Sequence, residues 1–252
     1  MTILTRRSLI AATPALLAGC DKLSNSPKFV DLLGAAESGN YGLQRLLQDR
    51  TALAREYAPN QRSPIFRANG TRMPQGANYA GHVANNFADW TVVIDGLVQR
   101  PMQIALGQLR QMPSRSQITR HDCVEGWSCI AKWTGTALGP VLDMAGVKPE
   151  ARFCVYHCFD NIQKTLSGEI FYYESSDLVD AYHPQTILSY GLNDQVLPVS
   201  NGAPVRLRVE RALGYKQPKY LHTIELVDDL RPFGQGRGGY WPDNGYDWYG
   251  GI

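Results

Sequence analysis

Beyond its first twenty residues the sequence has no apolar run long enough to cross a bilayer, no internal repeat and no low-complexity linker. It also lacks a surplus of positive charge. Of 252 residues, 25 are Lys or Arg and 23 are Asp or Glu, a net +2, and residues 1–19 hold Arg6 and Arg7 but no acid. The remainder is neutral, which argues against nucleic acid as a partner, because phosphate binding draws on excess Lys and Arg. There is no Cys-x-x-Cys-His haem motif and no set of paired Cys-x2–4-Cys knuckles of the structural zinc kind. A hydrophobic fraction of 44% excludes a wholly disordered chain, and 24 Gly with 15 Pro favour a strand-rich or mixed fold over a helix bundle.

The apolar run that is present lies at the front. Residues 1–20 read MTILTRRSLIAATPALLAGC: an arginine pair, an apolar stretch from Leu9 to Ala18, then small residues. That order is an export signal, too short for a lasting span. Thr-Arg-Arg-Ser-Leu-Ile resembles a twin-arginine signal, which serves proteins exported already folded. Leu17-Ala18-Gly19-Cys20 resembles a lipobox, which makes Cys20 the lipidated first residue of the mature protein; a plain signal cleaved nearby is the alternative. Asp21 then points by analogy to retention at the inner membrane. The expected location is the periplasm.

Four segments follow: a signal at 1–19, a tether and N-terminal helix at 20–60, a globular domain at 61–230 and a Gly/aromatic arm at 231–252. Residues 21–40 read as tether. Asn40 is a candidate N-cap for a helix through about Tyr57, with Leu43, Leu46, Leu47, Leu53, Ala54 and Tyr57 at helical spacing. Residues 58–89 read as mostly irregular chain. Strands are expected at Trp90–Gly96, 116–121, 152–159, 185–190, 203–210 and 219–227, and helices at Leu106–Met112 and Thr136–Met144. The fold class is α+β, a mixed sheet core with short helices in one domain. The arm sets Phe233, Tyr240, Trp241, Tyr246, Trp248 and Tyr249 among seven glycines. It serves either as a cover over the core or as a wall at a pocket mouth.

Four cysteines lie in the body: Cys123, Cys129, Cys154 and Cys158. Cys154 and Cys158 share a strand pattern, and four strand residues span roughly 13 Å, beyond the ~7 Å a disulfide tolerates. A Cys123–Cys129 bond stays open, and the His and Cys spacings fit no common zinc pattern. The remaining use is a soft thiolate ligand to a cofactor-borne metal. Cys123 follows a strand candidate and opens Cys-Val-Glu-Gly-Trp-Ser, with Glu125 two residues on as a proton carrier or water holder. His121 and Asp122 flank the thiol, as further participants or as strand anchors. Downstream, Arg206, Arg208 and Glu210 alternate onto one strand face, ahead of a loop, Gly214-Tyr-Lys-Gln-Pro-Lys219, suited to a phosphate. A solvated charged face with an ion pair is the plainer reading of that run.

Together these stretches resemble the oxidoreductase molybdopterin-binding domain of the sulfite oxidase superfamily, and most of all its bacterial periplasmic methionine-sulfoxide-reductase branch. The resemblance runs from about Asn85 to Val227. It is carried by Cys123-Val-Glu-Gly-Trp-Ser, Trp133-Thr-Gly-Thr-Ala-Leu, His183-Pro-Gln-Thr-Ile-Leu-Ser-Tyr-Gly-Leu-Asn, Asn201-Gly-Ala-Pro-Val-Arg206 and Gly214–Lys219. It implies a molybdenum-molybdopterin cofactor in the mononucleotide-free form, with Cys123 as metal ligand. Glu125 would stand beside the open coordination position. It also implies cofactor contacts from Asn85, Cys158, Asn201, Arg206, Gln217, Pro218 and Lys219. Cys158 stands where the branch tends to have threonine, and Ala88-Asp89 where it has Tyr-Glu. The implied activity is two-electron oxygen-atom transfer, reducing S-oxides or N-oxides, fed by a membrane or periplasmic electron carrier such as a cytochrome. The stretch after Val227 is too short for the immunoglobulin-like dimer domain of classical sulfite oxidases, so a monomer is expected. Sulfite oxidation on the same fold, and a non-catalytic lipid-anchored binding protein, are the alternatives.

Overall fold

The computed structural model describes residues 26–165 and 168–252, so the expected signal and Cys20 lie outside the described residues. The chain divides into two compact units, Met1–Asp49 and Arg50–Ile252. In the first, helix α1 runs over Pro27–Leu47. Ser26 is extended and Pro27 takes the first helical position, where a missing N–H costs nothing. The expected helix from Asn40 to Tyr57 is thus displaced toward the N-terminus, and residues 27–40 of the expected tether are helical. Within the second unit, Tyr57 donates its N–H to Ile118 O at 2.8 Å, and Ala54 N donates to the Gln185 side chain at 2.7 Å.

The second unit is built on two sheets, one mixed and one antiparallel, with short helices. The first orders β2 (Met102–Ala105), β1 (Thr91–Gly96), β10 (Leu221–Val227), β5 (Phe153–Thr165) and β6 (Gly168–Asp177). Its β1 and β10 pair in parallel and its other neighbours antiparallel. The second orders β3 (Ser114–Cys123), β4 (Trp127–Ala137), β7 (Ile187–Leu192) and β8 (Gln195–Val196), with β9 (Arg206–Arg208) also paired to β7. Helices α2 (Ala77–Ala84), α3 (Leu106–Gln111) and α4 (Leu138–Ala145) supply Tyr79, Leu109, Leu138 and Leu142 to a core shared with Trp90, Ile94, Tyr156 and Ile224. A smaller core gathers Ala131, Trp133, Ile187, Leu192 and Leu197. This is the α+β architecture expected.

Two sequence expectations need correction. The segment from Trp127 onward, where no strand is expected from the sequence, is strand β4, in which Cys129, Ala131 and Trp133 point inward with the period of two a strand dictates. The strand expected over 203–210 is confined to Arg206–Arg208, the residues that find ladder partners on β7. Strand β3 is unusual, because its inward residues Gln117, Thr119 and His121 are all polar and all buried. What they face explains the site.

Candidate active site around Cys123

Cys123 is the last residue of β3, paired across the hairpin with Trp127 of β4. The loop between them is Val124-Glu125-Gly126. Gly126 donates its N–H to Cys123 O at 3.1 Å and has φ of 85°, the left-handed position of a three-residue hairpin loop that favours glycine. A rigid ladder therefore presents the half-buried thiol at its end. Glu125 is exposed beside it, and its carboxylate accepts from Trp127 Nε1 at 3.0 Å, which fixes its direction. Cys123 and Glu125 line a cavity of about 180 Å³ together with Gln217, Pro218 and Lys219. Five of the nine expected site residues thus share one cavity.

Asn201 and Arg206 lie against the same loop, buried. Arg206 donates through Nη1 to Asn201 O and through Nη2 to Gln217 O, each at 3.0 Å. Lys219 donates to the carbonyls of Asn69, Thr71 and Ser200. Neither cation has a carboxylate in hydrogen-bond contact among the described residues, and the Arg206 Nε and Asn201 Nδ2 donors have no partner at all. Burial, then the neighbouring Arg208, lowers Arg206 to about 9; burial, then Arg206, lowers Lys219 to about 8. Two buried cations and spare donors without an anion amount to a site that an anionic ligand would complete.

The polar face of β3 belongs to the same structure. Arg208 grips Glu210 through two bonds of 2.9 and 2.7 Å, donates to His121 Nδ1 at 2.9 Å and stacks 4.2 Å from the Trp133 ring centre. Gln117 donates to Glu210 at 2.9 Å. Both side chains of the Arg208–Glu210 pair are fully buried, so the solvated charged face expected at this run is an interior network instead. The physical reason is that the strand is covered on both faces, and its partners supply a carboxylate, a ring nitrogen and a π face. Burial and Arg208 hold His121 well below its ordinary value, so the imidazole is neutral and anchors the strand rather than the cavity. Asp122 is likewise engaged at the surface, accepting from Ser128 and Arg120.

Cys158 is placed differently. It lines a second cavity of about 470 Å³ with His157, Phe159, His222 and Phe233, and Tyr172 borders both cavities. Burial, then Asp160 and Glu174, pushes its thiol well above the usual range. Asn85 is exposed at the end of α2, bonded to Asp89, and lines neither cavity. Cys123, Cys129, Cys154 and Cys158 are all free thiols.

Sequence reasoning missed the Asn69-Gly70-Thr71 turn, whose carbonyls cap Lys219, together with Asp160 and Tyr172 in the cavity wall. An Asn-Gly pair between irregular segments was the available signal for the turn. The arm does both things asked of it. Trp248 covers Ser175 and Lys216, while Trp241 and Tyr246 line the Cys123 cavity.

Residues 80–232 match the oxidoreductase molybdopterin binding domain family. The chain belongs to this family. It is 34% identical over 98% of its length to a protein of Azospira oryzae named for a protein-methionine-sulfoxide reductase subunit, of which it covers 86%. It is 30% identical over 88% of its length to a protein-methionine-sulfoxide reductase catalytic subunit of Xanthomonas axonopodis, of which it covers 69%. The sulfane dehydrogenase SoxCD from Paracoccus pantotrophus superposes with a TM-score of 0.49 at 20% identity, over 56% of this chain and 39% of that one. The protein is a molybdopterin-dependent oxidoreductase, and the thiol at the end of β3 above unneutralised cations is a donor set that suits such a cofactor.

Proposed function

We propose that this protein reduces methionine sulfoxide, free or within polypeptides, at the periplasmic face of the inner membrane. The observation that carries the reading is the joint placement of the Cys123 thiol and Lys219 on one cavity, with the buried Arg206 bonded to Gln217 of its wall. Molybdopterin, in its mononucleotide-free form, supplies two-electron oxygen-atom chemistry when bound. Cys123 would hold the metal as thiolate, and Arg206, Lys219, Asn201 and Gln217 would hold the phosphate-bearing part. Cys158, at the second cavity, would meet the cofactor from the other side of Tyr172. The overall change converts a sulfoxide, two electrons and two protons into a thioether and water. Glu125, held by Trp127, stands at the cavity mouth to carry protons between solvent and the reacting oxygen.

Electrons come from a membrane or periplasmic carrier. The twin-arginine and lipobox residues support folded export, with the monomer anchored through Cys20. The test is to purify the mature protein from a molybdenum-replete host, measure bound metal by mass spectrometry and assay methionine sulfoxide and sulfite side by side. Near-stoichiometric molybdenum with dye-linked reduction of methionine sulfoxide is expected. Zinc in place of molybdenum overturns the cofactor assignment, and sulfite oxidation without sulfoxide reduction overturns the direction. Mass analysis of the N-terminal peptide from the native membrane checks the lipid on Cys20.

A further inference from the structure

The arm from Phe233 to Ile252 lies beyond the residues matched by the family, yet it supplies one wall of the Cys123 cavity. Helix α5 (Tyr240–Asp243) carries Trp241, and the chain turns back at Gly245, φ 96°, so that Tyr246 N donates to Trp241 O at 3.0 Å. The two rings stack with centroids 5.0 Å apart and planes inclined by 27°. Tyr246 also meets Tyr215 edge-on at 5.5 Å. The pair is part-exposed: Trp241 is half-buried and Tyr246 is 39% exposed, so this apolar face is open on the cavity side.

The arm is nevertheless held firmly. Leu213 N donates to Gly250 O at 2.7 Å, Tyr215 OH to Asp247 O at 2.7 Å, and Trp248 Nε1 to Ser175 Oγ at 2.8 Å. Asp243 accepts from Tyr173 OH at 2.6 Å and from Gln235 N at 2.9 Å. A stacked aromatic pair fixed at both ends and open toward the thiol is more than is needed to cover the core. Facing residues that bind a charged cofactor, it offers the complementary surface: flat, polarizable and apolar. Such a surface attracts sulfur and methylene groups.

We propose that Trp241 and Tyr246 form the specificity wall of the site, packing against the methylenes and S-methyl group of a methionine-sulfoxide side chain while its oxygen faces the Cys123 side. The wall sets the preference for a sulfoxide with a methylene chain over dimethyl sulfoxide, which has none. This rests on the sulfoxide-reductase reading.

The test uses the full mature, molybdenum-loaded protein and its Trp241→Ala, Tyr246→Ala and Trp241→Phe variants, each normalised to metal content. For Trp241→Ala, the KM for methionine sulfoxide rises roughly tenfold with kcat within twofold of wild type, as expected for loss of an apolar contact. The KM for dimethyl sulfoxide moves less, Tyr246→Ala shows a smaller rise, and Trp241→Phe recovers most of the loss. Unchanged KM for methionine sulfoxide in both alanine variants overturns the wall alone, as does an equal rise for both sulfoxides. A wild type that turns over no methionine sulfoxide overturns the functional reading, and the wall with it.

Discussion

The two sides of the Cys123 cavity are built on opposite terms. One side, from Asn201 to Lys219, is buried, with Arg206 and Lys219 bonded to backbone carbonyls, Arg206 Nε left without a partner and no carboxylate in hydrogen-bond contact among the described residues. The other is the aromatic arm, half open to solvent and fastened by hydrogen bonds that run mainly to main-chain atoms. The difference teaches how a buried polar wall and an open aromatic one meet at a single thiol. The interior side suits an anionic group, and the arm, outside residues 80–232, adds an apolar surface to the same cavity.

The strongest way to break the comparison is at the thiol where the sides meet. Cys123→Ser is expected to lose essentially all bound molybdenum and all reductase activity, while its melting temperature stays within a few degrees of the metal-free wild type; mass spectrometry and calorimetry check both halves. Next comes the interior side. Lys219→Met removes a buried cation that has no anion partner, so metal-free stability is expected to hold or rise, whereas molybdenum occupancy at limiting cofactor falls by roughly tenfold or more. Trp241→Ala leaves that occupancy unchanged, and measuring the two variants in parallel separates the sides.

A smaller effect is steric. A Cβ on Gly214 would lie 2.7 Å from the His121 ring and 3.2 Å from Asp122 O. Gly214→Ala is therefore expected to destabilise by about 1–3 kcal/mol and lower the midpoint by several degrees in thermal unfolding. The smallest is a slope. Glu174 is fully buried, bound to Lys216 at 2.6 Å beside Trp248, and burial lifts its carboxyl to about 7 against the pull of Lys216. A raised carboxylate binds protons more tightly in the folded state. Its contribution to stability is present below its ordinary value of 4.5 and is lost as pH rises through about 7. Glu174→Gln should flatten that fall, as read from denaturant midpoints between pH 4.5 and 7.5.

Much of the interior side was legible because its residues are close in sequence and chemically unusual. Asn201, Arg206 and Gln217–Lys219 could be assembled from one stretch, and Cys123 from one hairpin. The burial of Arg208 and Glu210 was not, since period-two alternation tells which residues share a face and is silent on whether that face meets water. The polar inner face of β3 misleads for the same reason: Gln117, Thr119 and His121 look like the outside of a strand until Glu210 is placed on Gln117 and Arg208 on His121. The start of α1 turned on Pro27 rather than on leucine spacing. Asn85 was placed by motif and stands at the surface, bonded to Asp89. Trp241 and Tyr246 reach the cavity across more than a hundred residues of sequence, a distance no local pattern spans.

The four free thiols carry a practical consequence. Cys129, Cys154 and Cys158 are buried and slow to meet a dissolved reagent, and burial further lifts Cys154 to about 12 and Cys158 well above the usual range. Cys123 alone among them is partly open to solvent. Mild alkylation of the native body should therefore add a single label when the cofactor is missing and none when it is in place. The protein thus carries its own gauge of how fully it has been loaded.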